Sequence, residues 1–175
     1  MSFKKARQYF KFCPVCAGRL LLKKHGPVFH LTCRSCDFIF YQNSKPTASA
    51  FIVNQKNQIL LVKRAVEPMK GYWDAPGGFL EDGEDPIKGL RREMKEELGV
   101  QLADIQFFGI YLDVYNERYA INTLNIIYLA KILKGKLQPM DDISEAKWFS
   151  ASQIPWSKLG FPWLYQALRD WQKHK

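Results

Sequence analysis

The sequence predicts an α/β domain, in the broader sense α+β: a mixed sheet with helices on both sides, preceded by a small ribbon stapled by a metal ion. Three observations carry this. β-rich runs at 47–53, 59–64, 105–115 and 121–132 are separated by turn residues. Two amphipathic helical segments, one over residues 86–98 and one opening at Pro162, follow the second and last of the strand groups. All four cysteines fall within the first 36 residues, as two C-x₂-C pairs. A chain of 175 residues accommodates one core domain plus such an appendage, divided at residues 1–42 and 43–175. A hydrophobic fraction of 47% and an aromatic fraction of 14% exclude a disordered chain.

The ribbon is read from Cys13-Pro-Val-Cys16 and Cys33-Arg-Ser-Cys36. In a cytosolic protein this spacing predicts a tetrahedral structural Zn²⁺ site with no thiol left over. Two disulfides are the alternative and need an oxidising compartment. Residues 20–24 and 28–32, around Gly26-Pro27, form a short hairpin, and 37–46 give a final ribbon strand and linker. A piece this small has too little core to fold alone, so the metal supplies most of its stability. His25 and His30 lie inside the ribbon, but four thiolates already close the shell.

The net charge of +9 is unevenly placed. Residues 1–50 hold Lys4, Lys5, Arg7, Lys11, Arg19, Lys23, Lys24, Arg34 and Lys45 against the single acid Asp37. Such a field attracts polyanions, nucleotides or nucleic acid, or serves solubility alone. The ribbon grips nucleic acid, holds a dimer together or caps the other domain; the sequence does not choose. No apolar run is long enough to span a membrane and the basic N-terminus lacks a signal peptide's apolar stretch, so the expected location is cytoplasmic.

Residues 47–53 and 59–64 are continuously apolar strands, joined as a hairpin through Asn54–Gln58 and covered on both faces. A long irregular stretch to Gly78 follows, rich in proline and glycine, of the kind that carries function. The helix at 86–98 opens with Asp85 as N-cap and Pro86 in its first turn, and closes on Gly99. Ile87, Leu90, Met94 and Leu98 make its apolar stripe. Glu93, Glu96 and Glu97 fall on one neighbouring face, where like charges repel by a few tenths of a kcal/mol per pair. Three carboxylates so placed suit a hard divalent cation with oxygen ligands, Mg²⁺ or Mn²⁺. Strands at 105–115 and 121–132 flank a hairpin tip, and the strand at 146–149 precedes the last helix, whose stripe is Leu164, Ala167, Leu168 and Trp171.

The segment from Gly78 to Val100 resembles the signature of the Nudix hydrolases: Gly78, five residues, Glu84, seven residues, Arg92-Glu93, Met94, one residue, Glu96-Glu97, one residue, Gly99, Val100. Residues 71–78 resemble the G-x-W-x-x-P-G-G lead-in of that family, and the cysteine ribbon is similar to the one ahead of the Nudix domain in its NADH pyrophosphatase branch and in ADP-ribose- and FAD-cleaving members. The resemblance implies an α/β/α sandwich. It implies Mg²⁺-dependent hydrolysis of the pyrophosphate bond in a nucleoside diphosphate linked to another group, such as NADH, ADP-ribose or FAD. Glu93, Glu96 and Glu97, with the Gly78 carbonyl, would hold the metal, and Glu96 is the first choice as proton acceptor. Glu84 and Arg92 correspond to a pair that braces loop against helix. Arg64 and Glu67 would line the site, Trp73 offers a ring for a base or packs structurally, and Tyr111, Tyr115 and Tyr119 are contacts for the nucleoside. Glu145 is an outside candidate for assisting catalysis. The S-Q-P-W-P-F-P-x-S marker of the NADH branch is absent, and Tyr115 stands where many ADP-ribose enzymes carry proline, so the substrate stays open. Related enzymes are often homodimers, which leaves a homodimer open. The alternative readings are a nucleic-acid-binding or regulatory protein whose Nudix domain senses a nucleotide, and an enzyme acting on capped RNA.

Overall fold

The computed structural model describes residues 8–116 and 121–174. Lys4, Lys5, Arg7 and Tyr119 lie outside the described residues. The chain divides into two compact units, residues 1–44 with 116–122, and residues 45–115 with 123–175.

The first unit is built on a three-stranded sheet in the order β1-β2-β3, with β1 Leu20–His25, β2 Val28–Cys33 and β3 Ile39–Phe40. β1 and β2 are antiparallel, from Leu20↔Cys33 to His25↔Val28, and Gly26 turns the hairpin at φ 59°. The core is small: Cys13, Leu20, Leu31 and Cys33 are buried, with Phe10, Leu22 and Phe40 packed against them.

The second unit holds two sheets. One is mixed, in the order β7-β4-β9-β8, from β4 Lys45–Ile52, β7 Gly77–Phe79, β8 Gln101–Asn116 and β9 Ile121–Lys134, with Asn116, Ile121 and Asn122 at the strand ends grouped with the first unit. β4 runs antiparallel to β7 and parallel to β9. The other is antiparallel, in the order β10-β5-β6, from β5 Ile59–Arg64, β6 Trp73–Asp74 and β10 Ile143–Phe149. Lys45 and Pro46, expected in the linker, already belong to β4. The expected hairpin between β4 and β5 reduces to a single bridge, Val53↔Ile59. The reason is valence: both edges of β4 are taken, by β7 and β9, so β5 pairs elsewhere. The stretch read as irregular contains β6 and β7, too short to show a period.

Helices α1 (Pro86–Leu98) and α2 (Pro162–Lys173) lie on opposite sides of β4. Alternation along the strand sets this up. Ala48, Ala50 and Ile52 pack with Leu90, Met94 and Leu98 of α1. Phe51 packs instead with Leu164, Ala167, Leu168 and Trp171 of α2. Each fully buried Leu, Ile, Met or Phe side chain among them contributes roughly 1.5–3 kcal/mol. On β8, at the end of its sheet, Phe107, Ile110 and Leu112 are exposed. No helix among the described residues is long and apolar enough to cross a membrane.

Candidate active site

Helix α1 is fixed at both ends by its own sequence. The Asp85 carboxylate accepts from the Ile87 and Lys88 N–H groups at 3.0 and 3.1 Å, and Pro86 needs no such partner. Gly99 closes the helix at φ 67°, its N–H reaching the Lys95 carbonyl. The apolar stripe is buried except at Ile87, which is 38% exposed. Leu80 takes the place expected for Ile87, with Leu80 Cδ2 seated over Gly89 of the first turns.

Arg92 ties this helix to the loop before it. Its Nε and Nη2 each reach a Glu84 oxygen at 2.9 Å, a two-pronged pair, and Nη2 also donates to the Phe79 carbonyl. The Arg92 guanidinium, helped by the Glu81 N–H, holds the Glu84 carboxyl down at about 2. A depressed carboxylate contributes stability above its ordinary value of about 4.5, lost as pH falls from there toward about 2. Glu84→Gln is therefore expected to be less stable than the parent at neutral pH. The gap should close between pH 5 and 2, a trend that urea midpoints measured across that range would reveal or refute.

The three glutamates do not share one environment. Glu97 is 5% exposed and its Oε2 accepts the Gly77 N–H at 2.8 Å. Burial pushes the Glu97 carboxyl well above the usual carboxylate range; the Gly77 N–H opposes this, and the charges of Asp142, Glu93 and Asp74 add to the rise. Glu93 is half-buried, and burial likewise raises it against the pull of Arg92, whose Nη1 lies 2.7 Å from Glu93 Oε1. Glu96 is exposed, its Oε2 3.0 Å from Arg92 Nη1, and stands outside the cavity wall.

Two glycines of β7 admit this arrangement. A Cβ on Gly78 would stand 2.5 Å from Glu93 Oε1. Gly77 has φ 137°, and its Cβ would meet the Ala48 carbonyl oxygen at 2.2 Å and Ser49 Cα at 2.5 Å. That clash is with backbone, so it cannot be relieved by a rotamer. Gly77→Ala is expected to cost about 1–3 kcal/mol or more and to displace the Glu97 partner. An unchanged urea midpoint would contradict this.

Glu93, Glu97, Gly77 and Gly78 line a cavity of about 270 Å³ in the second unit. The other walls bring in residues from far apart in the chain. Thr47 and Ser49 come from β4, Thr123 and Asn125 from β9, Arg64 and Asp74 from β5 and β6, and Asp141 and Asp142 from the turn before β10. Asn125 is satisfied by Thr47 Oγ1, Thr123 Oγ1 and the Tyr111 carbonyl. Burial pushes the Asp74 carboxyl up to about 7, against Arg64 Nη1 at 3.6 Å. The aromatic part is Tyr115 stacked on Phe161, ring centroids 5.7 Å apart, with Phe79 edge-on to Tyr115. The Arg64 guanidinium lies over the same Phe161 ring.

Of the sequence candidates, Arg64 and Tyr115 reach this cavity while Glu67, Trp73 and Tyr111 do not line it. Glu67 is exposed. Trp73 is 6% exposed, edge-on to Phe149, with Lys63 over its ring. Tyr111 is buried and donates to Asp170. Glu145 pairs with Lys63, so its acidic neighbours Asp141 and Asp142, not Glu145, face the cavity. Asp74, Asp142, Thr47, Ser49, Thr123 and Asn125 escaped the sequence reading. The available signal was polar residues at every second position of otherwise apolar strands, 47 and 49, 123 and 125.

In the first unit the four thiols form a separate cluster, all Sγ atoms within 4.8 Å of one another and Cys16 Sγ 3.4 and 3.3 Å from those of Cys33 and Cys36. Four sulfurs around a zinc ion at about 2.3 Å stand about 3.8 Å apart, so the donor set fits. Backbone donors are aimed at sulfur, Val15 N–H at Cys13 and Ser35 N–H at Cys33. Burial opposes the Cys33 thiolate, yet the Ser35 and Cys36 N–H groups outweigh it and bring the thiol down to about 7.

The model of the NUDIX domain matches residues 43–171. The chain is 34% identical to the ADP-ribose pyrophosphatase of Methanocaldococcus jannaschii, across 71% of each chain. It is 30% identical to the NAD-capped RNA hydrolase NudC of Vibrio parahaemolyticus, over 89% of this chain and 59% of that one. It thus spans little more than half the length of the NudC relatives it matches. Among solved structures, a NUDIX hydrolase from Nitrosomonas europaea superposes with a TM-score of 0.77 at 27% identity, covering 94% of this chain and 92% of its own.

Proposed function

The chain belongs to the NUDIX family, and from that premise we propose that it hydrolyses the pyrophosphate linkage of a nucleoside diphosphate joined to a second group. One observation carries the reading: buried Glu97 and half-buried Glu93 share a cavity with Asp74, Asp142, Arg64 and the Tyr115–Phe161 stack. Carboxylates whose burial disfavours their charge suit a divalent cation, and aromatic faces suit a base.

The donor set, carboxylates and backbone carbonyl without sulfur or imidazole, fits Mg²⁺ or Mn²⁺. Glu93, Glu97 and the Gly78 carbonyl would hold it, with Glu96 beside them and Asp142 facing the same cavity. Bound there, the ion would neutralise phosphate oxygens and acidify a water. The protein's own share is positioning. Glu84 and Arg92 brace the loop so that Gly77 and Gly78 meet the helix. Arg64 supplies a fixed positive charge toward the phosphates, and Tyr115 with Phe161 takes a flat ring. Glu96 is the proposed acceptor of the proton from the attacking water; it stands outside the cavity wall, so this role requires its carboxylate to leave Arg92 Nη1 and swing toward Glu93. In the ribbon, Cys13, Cys16, Cys33 and Cys36 would hold Zn²⁺ structurally. A cytoplasmic location agrees with four reduced thiols. A homodimer is part of this reading, supported by the exposed apolar side chains of β8 and checked by light scattering.

The names of the relatives favour ADP-ribose or NAD-like substrates, with NAD-capped RNA as the larger variant. The test is a panel of NADH, NAD⁺, ADP-ribose, FAD, diadenosine polyphosphates and NAD-capped RNA with Mg²⁺, with nucleoside monophosphate products measured. Product from one class is expected; no product from any member would overturn the reading.

A further inference from the structure

We propose that the cysteine-cluster end of the ribbon is a binding surface for single-stranded nucleic acid. The described part of the ribbon, residues 8–44, carries Lys11, Arg19, Lys23, Lys24 and Arg34 against Asp37, and all five cations are exposed. Three of them are gathered by the backbone. Phe12 and Arg19 form an antiparallel bridge, the Leu20 N–H reaches the Lys11 carbonyl, and the Arg34 N–H reaches the Arg19 carbonyl at 3.0 Å. Exposed apolar groups lie close to them along the chain: Phe12 is 59% exposed and Val15, on the Cys13–Cys16 knuckle, is 70% exposed. The Arg19 guanidinium lies over the Phe12 ring at 6.0 Å.

A surface that serves solubility mixes charge signs and hides its rings. This one does the reverse, leaving a ring more than half exposed beside Arg19 in a segment whose charges are nearly all of one sign. A partner that satisfies both must bring regularly spaced negative charge and flat faces free to stack. Single-stranded nucleic acid has both, whereas the bases of a duplex are already stacked on each other. The inference does not depend on the proposed hydrolysis, because the ligand needs no pyrophosphate linkage.

The experiment uses the full-length, zinc-loaded protein and a fluorescein-labelled 12-nucleotide RNA without a cap, read by anisotropy. With about three phosphates neutralised, the logarithmic salt slope should be about −2, so affinity falls roughly twentyfold between 50 and 200 mM KCl. The triple variant Lys11→Glu, Arg19→Glu, Arg34→Glu should lose at least about tenfold in affinity and most of the slope. Phe12→Ala should weaken binding at least about fivefold with the slope unchanged, the mark of a lost stack. Both variants should retain zinc and hydrolyse a small dinucleotide as the parent does. Parent-like affinity in the triple variant overturns the proposal. So does normal binding by Phe12→Ala, and so does equal competition from inorganic polyphosphate or polyglutamate; either would reduce the surface to charge alone. Phe12→Ala alters only an exposed side chain, so it decides the matter even if the triple variant fails to fold.

Discussion

Glutamine in place of Glu97 is expected to lower turnover at least about a hundredfold while leaving the fold intact. The fold survives because the side-chain oxygen that accepts the Gly77 N–H is retained in the amide. It also survives because a neutral group suits a position where burial already penalises charge. What is lost is the negative charge by which the proposed site would hold a cation. A hundredfold loss corresponds to about 2.7 kcal/mol of transition-state stabilisation, within the several kcal/mol that a metal clamp supplies. Steady-state kinetics with Mg²⁺, beside the parent's circular dichroism spectrum, would show it. Near-normal Mg²⁺-dependent turnover would remove Glu97 from the machinery.

The second large effect is expected from Cys33→Ser. Cys33 is 4% exposed, belongs to the ribbon's small core, and its Sγ lies within hydrogen-bonding reach of the Ser35 N–H. A hydroxyl is a far poorer ligand for zinc than a thiolate, and binding in such modules is worth about 10–16 kcal/mol. The few buried side chains of the first unit cannot replace that. Zinc content should fall from one per chain toward zero, and the amides of β1 and β2 should lose protection from hydrogen exchange. Unchanged one-to-one zinc in the variant would refute the four-thiolate site.

The parts legible in the sequence were those whose physics is local. Asp85, Pro86 and Gly99 announce a helix start and stop within a few residues, and the structure puts all three in those places. The cysteine spacing likewise brings the four sulfurs together. What could not be read depended on partners far along the chain. β4 and β5 look like a hairpin until β9, whose partners lie 78 positions further along, occupies the edge that β5 would need. Asp74 and Asp142 are 68 positions apart and belong to one wall only because β6 and β10 both flank β5. Trp73 and Glu145 were attractive by residue type, yet neighbouring side chains had already engaged them.

The burial of Glu97 and Glu93, only partly offset by the Gly77 N–H and Arg92, has an outcome for the folded state as a whole. A pocket that keeps acids at a loss is a spring, and whatever ion relaxes it pulls the equilibrium away from the unfolded chain. Melting temperature should therefore climb with added magnesium, the ion adding about 2.7 kcal/mol of stability at a hundred times its dissociation constant. Heat alone, with no substrate present, would then report whether the proposed site holds an ion and how tightly.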